Sequence, residues 1–183
     1  MRLFTAIDMP GDILRNLEAL LDRLKPTARL KWSPPSNLHI TTKFIGEWPE
    51  ERLPELKRAL AALASRTAFQ MHIRNVGFYP NPHSPRIFFA GIEAPADLAS
   101  LARELDQALV SIGVAPEQRT FNPHLTLARI KEPVPLQKLR QTIAELPALD
   151  FGSFQADRFH LYQSRMQSSG SVYTKLSEFP LSK

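Results

Sequence analysis

The sequence contains no cysteine, which excludes disulfides and thiolate-held metals and is compatible with a reducing compartment. No apolar run approaches the roughly 20 residues needed to span a bilayer. The opening Met1-Arg2-Leu3-Phe4-Thr5-Ala6-Ile7-Asp8 turns acidic too soon for a secretory leader. These features predict a cytoplasmic protein without membrane contact. Glycine is scarce, with 7 residues against 16 prolines, so the elements should be sharply punctuated rather than joined by flexible linkers. The glycine patterns of nucleotide-binding loops are missing, as is the Gly-x-Ser-x-Gly elbow of serine hydrolases. No Lys/Arg block occurs, which argues against a nucleic-acid-binding tail.

What is present is an apolar share of 43%, enough for the core of one domain over 1–183, with room for two lobes. The net charge of +5 leans toward polyanionic partners. Pro10, Pro49, Pro95 and Pro135 each open a stretch with apolar residues at helical spacing. The stripes are Ile13, Leu17, Leu21; Leu53, Leu56, Leu60; Leu98, Leu101, Leu105; and Leu136, Leu139, Ile143. β-prone runs cover 2–8, 37–45, 69–79, 86–93, 121–130, 151–162 and 171–179, with Lys31-Trp32 as a short strand and polar loops at 80–85 and 163–170. Several strands follow one another directly. That predicts an α+β fold of largely antiparallel sheets flanked by helices. No apolar stripe is left over once the helices pack, so a monomer is expected.

Two strand-like runs carry one pattern: His39-Ile40-Thr41 and His124-Leu125-Thr126. Positions i and i+2 of a strand share a face, so each histidine should sit beside its threonine, with Ile40 and Leu125 turned to the core. Each motif is followed by a proline-opened helix and then a strand, a weak internal repeat that suggests two similar lobes. If the two strands meet across a cleft, two imidazoles and two hydroxyls converge. Imidazoles supply a general base and a general acid near neutral pH, and hydroxyls stabilise charge developing on phosphate oxygens. This is a metal-free constellation suited to phosphodiester cleavage. A metal site would need three or four ligands, and neither motif has a carboxylate on its histidine face. Lys43 shares parity with His39 and is a candidate to face the cleft. A single His-x-Thr would be better read as strand packing; the second copy gives the pair its weight.

These motifs and their flanks resemble the 2H phosphoesterase superfamily, named for its two histidine motifs, and look most like the RNA 2′,3′-cyclic phosphodiesterases, historically called 2′-5′ RNA ligases. The resemblance runs through Arg2-Leu3-Phe4-Thr5-Ala6-Ile7, Lys31-Trp32, Asn37-Leu38-His39-Ile40-Thr41, Phe44-Ile45-Gly46, Phe78-Tyr79-Pro80, Phe121 to Arg129, Leu161-Tyr162-Gln163-Ser164 and Gly170-Ser171-Val172-Tyr173. Thr42 stands where the family usually has leucine. By strand parity it faces away from the site, so altered packing is expected there. The resemblance implies a two-lobed fold with a central cleft and no cofactor. It also implies hydrolysis of a terminal 2′,3′-cyclic phosphate on RNA to a 2′-phosphate, with His39 as proton donor and His124 as proton acceptor. It further implies that Arg129 contacts phosphate or substrate, whereas Thr41 and Thr126 are candidates by their hydroxyl chemistry and strand face. Strict alternation puts Arg129 on the face opposite His124, so that role requires a bulge or strand end.

Other residues carry weaker signals. His72, His83 and His160 read as structural or solvated. Phe4, Phe44, Trp32 and Tyr173 are candidates to stack a base, with core packing the simpler reading. Three functions stay open beside the cyclic phosphodiesterase: 2′-5′ RNA ligation through the same histidines, cleavage of 2′-5′ oligonucleotides or small cyclic nucleotides, and a module that binds RNA ends without turnover.

Overall fold

The computed structural model describes residues 1–94 and 96–183. It contains β1 (Arg2–Asp8), α1 (Gly11–Leu24), β2 (Lys31–Trp32), β3 (His39–Glu47), α2 (Leu53–Ala61), β4 (Phe69–Tyr79), β5 (Ile87–Glu93), α3 (Ala96–Val110), β6 (Leu125–Arg129), α4 (Gln137–Ala144), β7 (Asp150–Ala156), β8 (Arg158–Gln167) and β9 (Gly170–Pro180). The strands form two antiparallel sheets, ordered β3-β1-β8-β9 and β2-β6-β5-β4-β7. The two-lobed α+β architecture is therefore present.

The lobes are not the two halves of the chain. The first sheet joins N-terminal β1 and β3 to C-terminal β8 and β9. The helices cross between lobes as well. α1 follows β1 but packs on β7 of the other sheet, where Asn16 donates to the Phe151 carbonyl at 2.9 Å. α3 follows β5 but packs on β3. Its buried stripe is the expected one, Leu98, Leu101, Leu105 and Leu109, and Pro95, expected to open it, lies outside the described residues. In α1, Ile13, Leu17, Leu20, Leu21 and Leu24 are buried, each worth about 1.5–3 kcal/mol of apolar burial. One apolar cluster runs through both sheets.

Two expectations fail at the C-terminal end. Residues 151–162 do not form one strand, because the chain leaves the second sheet after β7 and joins the first as β8, with Asp157 at the crossing. The polar stretch 163–170 is not a loop. β8 continues through Gln167 and returns by a tight turn into β9. That hairpin runs past the core, so its residues carry no apolar alternation, and the period-2 signal is lost where the strand persists.

Candidate active site

Both motifs stand where the sheets meet. β3 is the edge strand of its sheet, β6 lies one strand in from the edge of the other, and the two approach within 8 Å between Cα atoms. The short β2 and the turn after it connect the lobes. Ser33 N–H donates to the Leu127 carbonyl at 2.8 Å on one side, and the Asn37 amide donates to the Ser171 carbonyl at 3.0 Å on the other.

Each histidine is anchored in the same way. Nδ1 of His39 lies 2.6 Å from the Asn37 carbonyl, and Nδ1 of His124 lies 3.0 Å from the Asn122 carbonyl. A carbonyl only accepts, so both rings carry hydrogen on Nδ1 and turn Nε2 outward. The shared pattern is therefore Asn-x-His-x-Thr. The asparagines were visible in both motifs, and their role rests on a backbone atom that composition does not mark. The Thr41 hydroxyl lies 3.0 Å from Nε2 of His39 and donates to it when the ring is neutral. Nε2 of His124 has no hydrogen-bond partner among the described residues.

Matching bulges decide which residues after each motif face the cleft. β1 pairs Thr5 with Lys43 and then Ala6 with Thr41, which leaves Thr42 extra. β5 pairs Phe88 with Ala128 and then Phe89 with Thr126, which leaves Leu127 extra. In each strand two consecutive residues turn to the core: Thr42 with Lys43, and Leu127 with Ala128. The residue five after each histidine then returns to the cleft face. In β6 that residue is Arg129, so the bulge its role required is present. Arg129 is exposed, and its charge acts on His39. In β3 it is Phe44, 60% exposed.

Lys43 does not face the cleft. The same bulge reverses its parity, and only 4% of its side chain is exposed. Its Nζ donates to the Asp106 carboxylate at 2.7 Å and the Ala115 carbonyl at 3.0 Å, tying β3 to α3. Thr42 does face away from the site, as expected, and its hydroxyl meets that of buried Thr5 at 2.7 Å.

Aromatic rings line the first sheet's side of the cleft. Phe4 lies 5.0 Å from His39 between ring centroids and packs on Phe44, Tyr162 and Tyr173. Tyr173 meets His39 edge-on at 5.2 Å. Trp32 does not join them. It packs on Phe88 in the core, and its indole donates to the Ala28 carbonyl at 3.2 Å. Across the cleft, Tyr79 stacks on His124 at 6.0 Å and Phe89 lies 5.9 Å from it. The Phe89 ring covers Gly77, where a Cβ would come within 2.7 Å of it, so a side chain at 77 would displace the ring that supports His124.

A charged group under the first motif was not foreseen. Asp8 pairs with His39 across the β1–β3 ladder. Its carboxylate accepts from the Tyr162 hydroxyl and, at 2.8 Å, from Lys175. Burial works to raise the Asp8 pKa, but the bonds from Lys175 and Tyr162 and the nearby charges outweigh it and hold the group below its ordinary value. Burial, together with Asp8, pushes the Tyr162 phenol well above its ordinary range. His160 is buried between two acids, with Nδ1 3.5 Å from Asp8 and Nε2 3.2 Å from Glu178. His72 lies away from the motifs and bonds Asp150 at 2.8 Å. His83 sits in an exposed loop closed by Asn81.

The His39 pKa is lowered. Burial is the largest cause, and the Arg129 charge adds to it. The Asn37 carbonyl and the Asp8 charge act in the opposite direction.

Known proteins share this sequence pattern and architecture. A family model described as LigT-like phosphoesterase matches the chain twice, over residues 7–89 and 92–173, with one motif in each match. A protein of Methanothermobacter thermautotrophicus named RNA 2′,3′-cyclic phosphodiesterase is 33% identical over 183 residues, covering 99% of each chain. A Thermus thermophilus protein of the same name is 33% identical over 188 residues, covering 99% of this chain and 90% of its own. Among solved structures, TT0787 of Thermus thermophilus superposes with a TM-score of 0.84 at 32% identity, covering 99% of this chain and 98% of its own. LigT of E. coli complexed with 3′-AMP gives 0.79 at 26% identity, covering 100% and 98%.

Proposed function

Because the chain belongs to the LigT-like phosphoesterase family, we propose that it is an RNA 2′,3′-cyclic phosphodiesterase, opening a terminal cyclic phosphate to a 2′-phosphate by acid–base catalysis between His39 and His124. The observation that carries this reading is the paired anchoring of the two rings. Each Nδ1 is held by an asparagine carbonyl, which leaves Nε2 as the end of each ring that can exchange a proton. The curated relatives carry the same activity in their names.

In this reading water attacks phosphorus, and Nε2 of His124 takes its proton. The bond from phosphorus to O3′ breaks, and O3′ takes the proton from Nε2 of His39. The products are a 2′-phosphate and a 3′-hydroxyl. Thr41, Thr126 and Arg129 stabilise the non-bridging oxygens. A group with no bound partner on Nε2 suits the acceptor. The donor must be charged, and the phosphodiester anion supplies the negative charge that restores a proton to a ring whose burial disfavours it. One chain holds every residue named, so a monomer suffices, and an RNA substrate fits work in the cytoplasm.

The test is a short RNA ending in a 2′,3′-cyclic phosphate, incubated in EDTA with the wild type, His39→Ala or His124→Ala. A 2′-phosphate end from the wild type is expected, with each variant slower by about 10²–10⁴. Turnover that needs an added divalent metal, or survives loss of either histidine, overturns the mechanism.

A further inference from the structure

Lys31 precedes Trp32 in a short strand, and the sequence assigns the lysine no role. In the structure Lys31 is paired with Arg129 across β2 and β6. Directly paired residues of an antiparallel ladder project from the same face, so Lys31 shares the cleft face with Arg129. Trp32 turns the other way into the core, which pins Lys31 outward. The lysine stem extends toward the β8–β9 turn of the other sheet, and its Cε would lie 3.8 Å from a Cβ built on Gly170.

The cluster is electrostatically unbalanced. Past β6 the ladder continues, with Ile130 N–H donating to the Arg86 carbonyl at 2.8 Å and Ile130 buried, so exposed Lys131 falls on the same face as Arg129. The Lys131 ammonium first, and Arg129 also, pull the Lys31 pKa below the ordinary lysine value. None of the three makes an ion pair among the described residues. Several other cations of the fold do have an acid beside them: Lys43 has Asp106, Arg66 has Glu104, Arg158 has Asp157 and Glu178, and Lys175 has Asp8. Three like charges crowded at the mouth of the cleft cost free energy, which a phosphate placed among them would reverse.

We infer that Lys31 and Lys131 form the track for the RNA backbone upstream of the reacting end, holding phosphodiesters on the 5′ side of the terminal nucleotide while Arg129 holds the cyclic phosphate. The enzyme therefore selects an RNA chain over a cyclic mononucleotide. This rests on the RNA phosphodiesterase reading and adds the length of substrate that the site engages. The aromatic cluster around Phe4 and the cations beside Arg129 give the cleft two distinct regions, and the backbone leaves along the cations.

The experiment compares a 2′,3′-cyclic mononucleotide with an RNA oligonucleotide of the same terminal base, for the wild type and for Lys31→Gln/Lys131→Gln, across a range of salt concentrations. The double variant should lose about 10-fold in kcat/KM on the oligonucleotide and less than about 2-fold on the mononucleotide. Each neutralised phosphate contact contributes a salt slope of about 0.7 on a single strand, so the oligonucleotide's slope should flatten by roughly 1.4. Equal losses on both substrates, or none on either, overturn the track. Inactivity of the wild type on both substrates refutes the phosphodiesterase reading instead. Fluorescence anisotropy of an RNA already ending in a 2′-phosphate then still tests the lysines. Weaker binding by the double variant supports the track, and unchanged binding rejects it.

Discussion

Asp8 and His39 face one another across the β1–β3 ladder, and the carboxylate supports positive charge on the imidazole. Arg129 opposes it from the other sheet. Removing either charge should move the same titration in opposite directions. Asp8→Asn lowers the His39 pKa further, so less of the ring is protonated at a given pH, and the alkaline limb of kcat/KM moves toward acid. Arg129→Met raises it, so that limb moves toward base, while the overall rate falls by about 10²-fold with loss of a phosphate contact. A pH–rate profile of each variant reads the sign directly, and a shift in the same direction for both would contradict the arrangement.

Lys43 should matter for stability and not for chemistry. Lys43→Met leaves Asp106 without its cation. That should cost roughly 2–3 kcal/mol, less than the ~3–5 kcal/mol for a fully enclosed pair, because 22% of the Asp106 side chain reaches water. Denaturant unfolding measures the loss, and kcat on the cyclic phosphate should stay within about 2-fold of wild type. A large fall in kcat with unchanged stability would return Lys43 to the site.

The same pair gives a stability that depends on pH. Burial raises the Asp106 pKa, but the Lys43 bond, the Glu117 N–H and the Lys43 charge outweigh it, and the net shift is downward. The folded state therefore binds its proton later than the unfolded chain does. The contribution is complete above the unfolded value of about 3.9 and is lost as pH falls through the folded value. The stability difference between wild type and Asp106→Asn should be constant from about pH 7 to 5 and shrink below about pH 4. A difference that grows on acidification would reverse the sign.

Thr5 and Thr42 should behave as a unit. Thr42→Val strands the buried Thr5 hydroxyl, 0% exposed, at a cost of about 1–3 kcal/mol. Thr5→Val/Thr42→Val removes both hydroxyls and should recover most of that loss. Simple additivity in denaturant unfolding would show that the hydroxyls do not depend on one another.

Period-2 alternation was enough to place His39 with Thr41, to turn Ile40 and Leu125 inward, and to show that Arg129 needed a bulge. Applied without a bulge to Lys43, the same rule put it on the wrong face. A bulge is set by how a strand meets its neighbour, and the neighbours β1 and β5 lie far from the motifs in sequence. The crossing at Asp157 was hidden for a related reason: both strands around it are β-prone, and only the sheet each joins tells them apart. Asp8 stands at the end of an apolar strand, and its partners Tyr162 and Lys175 come from the far end of the chain. Helix stripes, whose neighbours are local, were legible almost residue by residue.

The carbonyls of Asn37 and Asn122 give each imidazole a single working end. If the two rings act as proposed, the active pair holds one mobile proton, and a turnover carries positive charge from the first sheet to the second. The molecule that releases product is then the electrical mirror of the one that bound substrate. Solvent must carry a proton back before the next cycle, so proton return is a step of catalysis in its own right. Where it limits the rate, a small buffer acid that fits the open cleft should raise kcat at constant pH.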